Sequence, residues 1–279
     1  MTARKTVCVL ALGLATLLSG SGAAHAYDDA TYPDLRGAWA RIGGAQWDPS
    51  KPLGLPQQAP YSPEYQAIYE ANLKEQATGM QNYNAQVRCF PGGMPRMMLA
   101  YYPIELIVTP LATYVRADHL NEFRRIYTDG RSWPASITPS HEGYSIGKWF
   151  DLDGDGRYDI LEVETRGFKG SRLLDSQGLP LHRDNASIVK ERIWLDEADA
   201  DVLHAEITTI DHAFMRPWSV LRDYRRVPNP VWTQDACGES NNYIFLGAET
   251  FYRSSEGLLM PTRKDQPAPD LRYFREAAK

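Results

Sequence analysis

The segment ITTIDHAFMRPWSV, residues 207–220, sets a histidine beside a carboxylate and follows them with a guanidinium and an indole. Histidine titrates near neutrality, a neighbouring carboxylate orients its ring, and an arginine stabilises developing negative charge. Asp211, His212 and Arg216 therefore have the types needed for general acid–base chemistry, with Trp218 as a wall for a ligand. The competing reading is a polar hairpin that satisfies its own backbone.

A second string, DLDGDGRYDILE from Asp151 to Glu162, carries oxygen ligands at calcium-loop spacing. Asp151, Asp153 and Asp155 alternate, Gly156 supplies the turn, and Asp159 and Glu162 close the twelve-residue pattern. The flanks, Tyr144 to Phe150 and Tyr158 to Thr165, read as strands, so the loop is expected to tip a β-hairpin. Its acidic residues are either turn formers or ligands of a structural calcium, since clustered carboxylates repel without a cation.

Just upstream, GYSIG (Gly143 to Gly147) has nucleophile-elbow spacing around Ser145. An elbow needs a strand that turns sharply into a helix, whereas Lys148, Trp149 and Phe150 continue a strand. The glycines are better suited to close strand packing. Further polar groups fall on strands where a barrel lumen could collect them: Tyr127, Asp129 and Arg131; Glu164 and Arg166; Glu191 and Arg192. Alternation puts Glu191 on the face of Ile193 and Leu195, an inward carboxylate that needs a partner such as arginine. His141 and His182 sit in loops beside these strands and could line the mouth. There is no H-E-x-x-H, no C-x-x-C and no close pair of histidines at ligand spacing, so a metal enzyme is not expected. No glycine-rich loop opens a helix after a strand, so no nucleotide and no organic cofactor is expected either.

The elements that must position these residues follow from punctuation and period. Arg4 and Lys5, the apolar run Val7 to Leu18 and Ala24-His25-Ala26 have the form of a secretory signal peptide over residues 1–26, which implies a periplasmic or secreted product. That run is too short to span a bilayer. The segment holds two of the 30 basic residues and none of the 35 acidic ones, leaving 27–279 with net charge −7 against −5 for the whole chain. Basic and acidic residues interleave, so no nucleic-acid partner is expected. Cys8 falls in the leader; Cys89 and Cys237 are expected to form one disulfide in an oxidising compartment.

Residues 46–62 are rich in Pro and Gln and read as surface. Ser62 then serves as N-cap and Pro63 as first-turn proline of a helix to about Ala77. From Pro103 onward eight β-rich runs follow: PIELIVT, ATYVRAD, EFRRIYT, GYSIGKWF, YDILEVETRG, IVKERIWL, VLHAEITTI and WSVLRDYRRV. With a first strand near Trp39 and no intervening helices, they predict one closed or nearly closed antiparallel barrel spanning 27–279, since closure removes unpaired edges.

Gly37 and Trp39 form a G-x-W that resembles the opening of lipocalin-like barrels, where the Trp closes one end. RCFPGGMPRMM (Arg88 to Met98), RIYTDGRSWP (Arg125 to Pro134), GYSIGKW, VETRGF and TIDHAFMRPW resemble a family of exported, largely uncharacterised β-rich proteins of soil and aquatic bacteria. The resemblance covers most of the mature chain and implies a fold, but no reaction. Together these features predict an exported barrel whose cavity takes an apolar or aromatic small molecule. An acid–base lyase, isomerase or hydrolase without redox cofactor is the leading expectation. A non-catalytic carrier is the alternative, and an envelope protein with calcium-stiffened loops the third reading.

Overall fold

The computed structural model describes residues 29–232, 237, 242–246, 248–254 and 256–269; the expected signal peptide lies outside them. Nine strands close into a ring: β1 (Ala38–Arg41), β2 (Ile104–Val108), β3 (Ala112–Ala117), β4 (Glu122–Tyr127), β5 (Tyr144–Phe150), β6 (Ile160–Arg166), β7 (Ile188–Leu195), β8 (Val202–Ile210) and β9 (Trp218–Val227), with β9 pairing back onto β1. The predicted mainly-β barrel is present, and all eight of the predicted β-rich runs lie in it.

One feature departs from the antiparallel expectation. A closed ring of nine strands cannot alternate direction all the way round, so one joint must be parallel. That joint is β4–β5, paired only through Ile126–Ser145 and Tyr127–Ile146. The connection over residues 128–143 carries the chain back to start β5 in the same direction as β4, which a two-residue turn could not do.

Helix α1 (Pro63–Ala77) begins as expected: the Ser62 hydroxyl accepts from Tyr65 N and Pro63 occupies the first turn. Its Tyr65, Tyr69 and Asn72 are buried. Among the described residues no helix is long and apolar enough to cross a membrane. Trp39 is fully buried, donates from Nε1 to Leu35 O at 3.0 Å, and has the Arg226 guanidinium 4.3 Å from its ring centroid. Arg226 in turn reaches Asp201 and the Asp34 carbonyl, tying β9 to the segment before β1.

The predicted bridge Cys89–Cys237 is formed. A second, three-stranded sheet of β10 (Tyr243–Leu246), β11 (Glu249–Arg253) and β12 (Leu259–Pro261) was not anticipated. Its strands have four, five and three residues, too short for alternation to register as a period.

Candidate functional site

Two chain reversals stand side by side: residues 167–187, which join β6 to β7, and residues 211–217, which join β8 to β9. The first is pinned by the buried Leu173, Leu174, Leu179 and Leu181 and by Tyr61 Oη donating to Pro180 O at 3.0 Å. Asp211 ties the two together. Its carboxylate accepts from His182 N at 2.8 Å, Ala213 N at 2.9 Å and the Ser187 hydroxyl. Ser187 in turn receives Arg172 Nη2, while Arg172 also donates to Asn185 Oδ1 at 3.0 Å and Met94 O at 3.1 Å. Burial lowers the Arg172 guanidinium to about 10, against the opposing pull of Asp211 and Asp184.

On this platform His182 and His212 approach with ring centroids 5.7 Å apart and planes at 79°. Between them is Asp184. His212 Nδ1 donates to Asp184 Oδ2 at 2.6 Å, and His182 Nδ1 faces Asp184 Oδ1 at 2.9 Å and the Asp184 N–H at 3.2 Å. The Ala186 N–H also donates to the carboxylate, at 3.0 Å. Partial burial acts to raise the Asp184 pKa, but these hydrogen bonds and the His182 charge outweigh it and hold the group well below the usual carboxylate range. The hydrogen bond and charge of Asp184 in turn raise the His212 imidazole above its ordinary value. The His212 side chain is 69 % exposed and Asp184 37 %. Because Nδ1 is taken by the carboxylate, Nε2 of His212 is the nitrogen presented to solvent, and no described residue bonds it. One ligand atom from each of His182, Asp184 and His212 lies within 4.8 Å of the others, so the trio could also hold a divalent transition metal.

The other residues predicted to act with His212 lie elsewhere. Asp211 is buried beneath the two loops and does not pair with His212, because successive residues leave the end of β8 on opposite faces. Arg216 is exposed and among the described residues reaches only the Pro217 carbonyl, while Trp218 is buried edge-on to Phe214, with ring centroids 6.1 Å apart. Asp184 and the pairing of His182 with His212 were missed: the histidines are 30 positions apart in the chain. The H-x-D at 182–184 was the available signal.

The lumen assignments divide by strand alternation. Tyr127, Asp129 and Arg131 form an external cluster in which Arg131 clamps Asp129 and lies 3.7 Å from the Tyr127 centroid. That clamp holds Asp129 below and Arg131 above their ordinary ranges. Glu164 also points outward, to Arg166 and Lys190, while its neighbours Val163 and Thr165 face in. His141 packs near Phe90, and burial lowers its imidazole.

Glu191 does face the interior and has the arginine partner it needs. Arg124 Nη1 and Nη2 reach its two oxygens at 3.0 and 2.5 Å. Arg124 Nε donates to Ser145 Oγ at 3.0 Å, Nη2 also reaches Thr165 Oγ1 at 2.8 Å, and the two hydroxyls lie 2.9 Å apart. Ser145 is thus a buried member of a closed network, not an exposed nucleophile. The inward Arg222 donates from Nη1 to the Gln46 and Trp47 carbonyls, the latter at 2.5 Å, with Nε unpartnered among the described residues, and Tyr224 donates to the Met98 carbonyl at 2.5 Å.

The acidic loop tips the β5–β6 hairpin as expected, with Asp159 N bonded to Phe150 O at 2.9 Å. Asp151, Asp153 and Asp159 bring oxygens within 4.8 Å of one another. The two remaining expected ligands are outside the cluster: Asp155 accepts from Arg157 N at 2.8 Å, and Glu162 on β6 pairs with Arg192 at 3.3 Å. An EF-hand closes its loop by folding a helix back; a strand carries Glu162 away. Asp151 accepts from Gly154 N and Gly156 N, so turn formation already uses part of the carboxylate set.

No protein-family model matches the chain, and a search of curated proteins found no match.

Proposed function

We propose that this is an exported protein that performs acid–base chemistry on a small molecule where the β6–β7 and β8–β9 loops meet, with His212 as the proton-exchanging group. The observation that carries this reading is the His212–Asp184 pair: a carboxylate on Nδ1 fixes the ring and leaves Nε2 free to give or take a proton. Asp184 keeps the imidazolium to higher pH than a free histidine, which suits proton donation near neutrality and return of the proton afterwards. His182 braces the second carboxylate oxygen. The Cys89–Cys237 bridge is compatible with export. A structural calcium on Asp151, Asp153 and Asp159 belongs to the same proposal, with no part in the chemistry.

The test starts from small molecules extracted from the purified protein and returned to fresh protein. Conversion by the wild type, lowered about 10²- to 10⁴-fold in His212→Gln with binding retained, is the expected result. Recovery of the molecule unchanged from the wild type would return the protein to a carrier role.

A further inference from the structure

Among the described residues, Arg96 is a buried cation with no anion against it. It is 3 % exposed and lies in the short helical turn Arg96–Leu99. Among those residues its one hydrogen bond runs from Nη1 to Asn84 Oδ1 at 3.0 Å, and Nε has no partner. Asp175 and Glu122 feel its charge without touching it. The Asp175 oxygens are committed to Trp47 N, Gln177 N and Gln177 Nε2, and Glu122 Oε1 to Gly92 N and Gly93 N. Arg124, equally buried, is met by both oxygens of Glu191. Burying a guanidinium is unfavourable unless an anion or a full set of acceptors meets it, so Arg96 is half of an interaction.

The missing half has room. Arg96 lines a cleft of about 430 Å³ with Asn84, Gln86, Tyr101, Tyr102 and His119. The cleft wall is aromatic: the His119 ring lies 5.2 Å from Tyr101 and 5.7 Å from Tyr102, and the Arg96 guanidinium 5.8 Å from the Tyr101 centroid. Tyr102 is 52 % exposed, an open apolar face beside a buried charge. A planar guanidinium matches a carboxylate in two parallel hydrogen bonds, and aromatic walls favour a flat apolar body.

We propose that this cleft binds a small aromatic carboxylate, with Arg96 taking the carboxylate and Tyr101, Tyr102 and His119 flanking the ring. The site goes beyond the His212 reading and stands or falls independently of it.

Calorimetric titration of the whole protein with benzoate, benzamide, acetate and inorganic phosphate tests it. Benzoate is expected to bind at least about tenfold more tightly than benzamide, which lacks the charge, and more tightly than acetate, which lacks the ring. Arg96→Gln should remove the preference for benzoate over benzamide. Tyr102→Ala, at a largely exposed position, should weaken benzoate while leaving the melting temperature unchanged, and with the benzamide comparison it decides the matter if Arg96→Gln does not fold. Equal binding of benzoate and benzamide, phosphate binding without benzoate, no benzoate binding at tens of millimolar, or wild-type affinity in a folded Arg96→Gln would each overturn the proposal.

Discussion

Arg124–Glu191 and His212–Asp184 both set a basic side chain against a carboxylate through short hydrogen bonds, yet their surroundings are opposite. In the first, the side chains are 1 % and 0 % exposed, and Ser145 and Thr165 accept two further hydrogen bonds from the guanidinium. In the second, the histidine is 69 % exposed and one ring nitrogen has no described partner. A buried pair enclosed by protein partners specifies a fold and offers nothing to a ligand. A pair half in water keeps one atom available for proton exchange. The difference lies in what surrounds the pair, not in the residue types.

The largest effect expected from breaking the comparison is in the barrel interior. Glu191→Ala leaves Arg124 buried and uncompensated and should cost about 3–5 kcal/mol in urea unfolding. Replacing both partners with leucine should recover most of that loss, because the penalty comes from the orphaned charge. A Glu191→Ala loss below about 1 kcal/mol would mean that water or rearrangement satisfies Arg124. No comparable loss is expected for His212→Gln, whose side chain already meets solvent.

These two regions also show what could be read from residues alone. Glu191 was legible because a single strand fixes its face: alternation through Glu191, Ile193 and Leu195 is local, and a buried acid demands a base. Which base answers was not legible, since Arg124 lies 67 positions away and nothing short of the ring closure brings β4 opposite β7. The nine-strand ring was visible strand by strand, but the parallel β4–β5 joint was not, because it depends on the count of strands rather than on any one of them. At the rim the signals were weaker. Asp211 and His212 are adjacent and were read as partners, yet adjacent residues diverge, and the true partner of His212 comes from another loop.

A third carboxylate sharpens the comparison from between its two ends. Glu122 is buried and among the described residues accepts only from the Gly92 and Gly93 main-chain donors, and burial pushes it up to about 7. A carboxyl raised on folding stabilises the fold below its unfolded value and loses that contribution as pH climbs through the folded one. Stability should therefore fall by on the order of 3 kcal/mol between about pH 4 and pH 8, and Glu122→Gln should flatten that slope. An unchanged pH dependence in the variant would remove Glu122 as its cause.

Smaller effects separate structure from chemistry. Ser145→Ala removes one acceptor from Arg124 and should cost about 1 kcal/mol without altering turnover. Loss of activity with full stability in this variant would restore Ser145 as a nucleophile. At the hairpin tip, calcium in moderate excess should add about 1 kcal/mol, roughly 2–4 °C in melting temperature. Asp153→Ala with Asp159→Ala should abolish the rise, and an absent rise in the wild type would leave the loop a turn.

If Asp184 sets the proton affinity of the exposed His212, an NMR titration of the His212 ring protons reads that effect. In the wild type the imidazole is expected to titrate reversibly above the ordinary histidine value of about 6.5. With pKa raised on folding, the contribution of the pair to stability is present below that value and is lost as pH rises through the folded one. In Asp184→Asn the titration should move down toward the ordinary value while the fold is retained. The same His212 midpoint in both proteins would contradict the account.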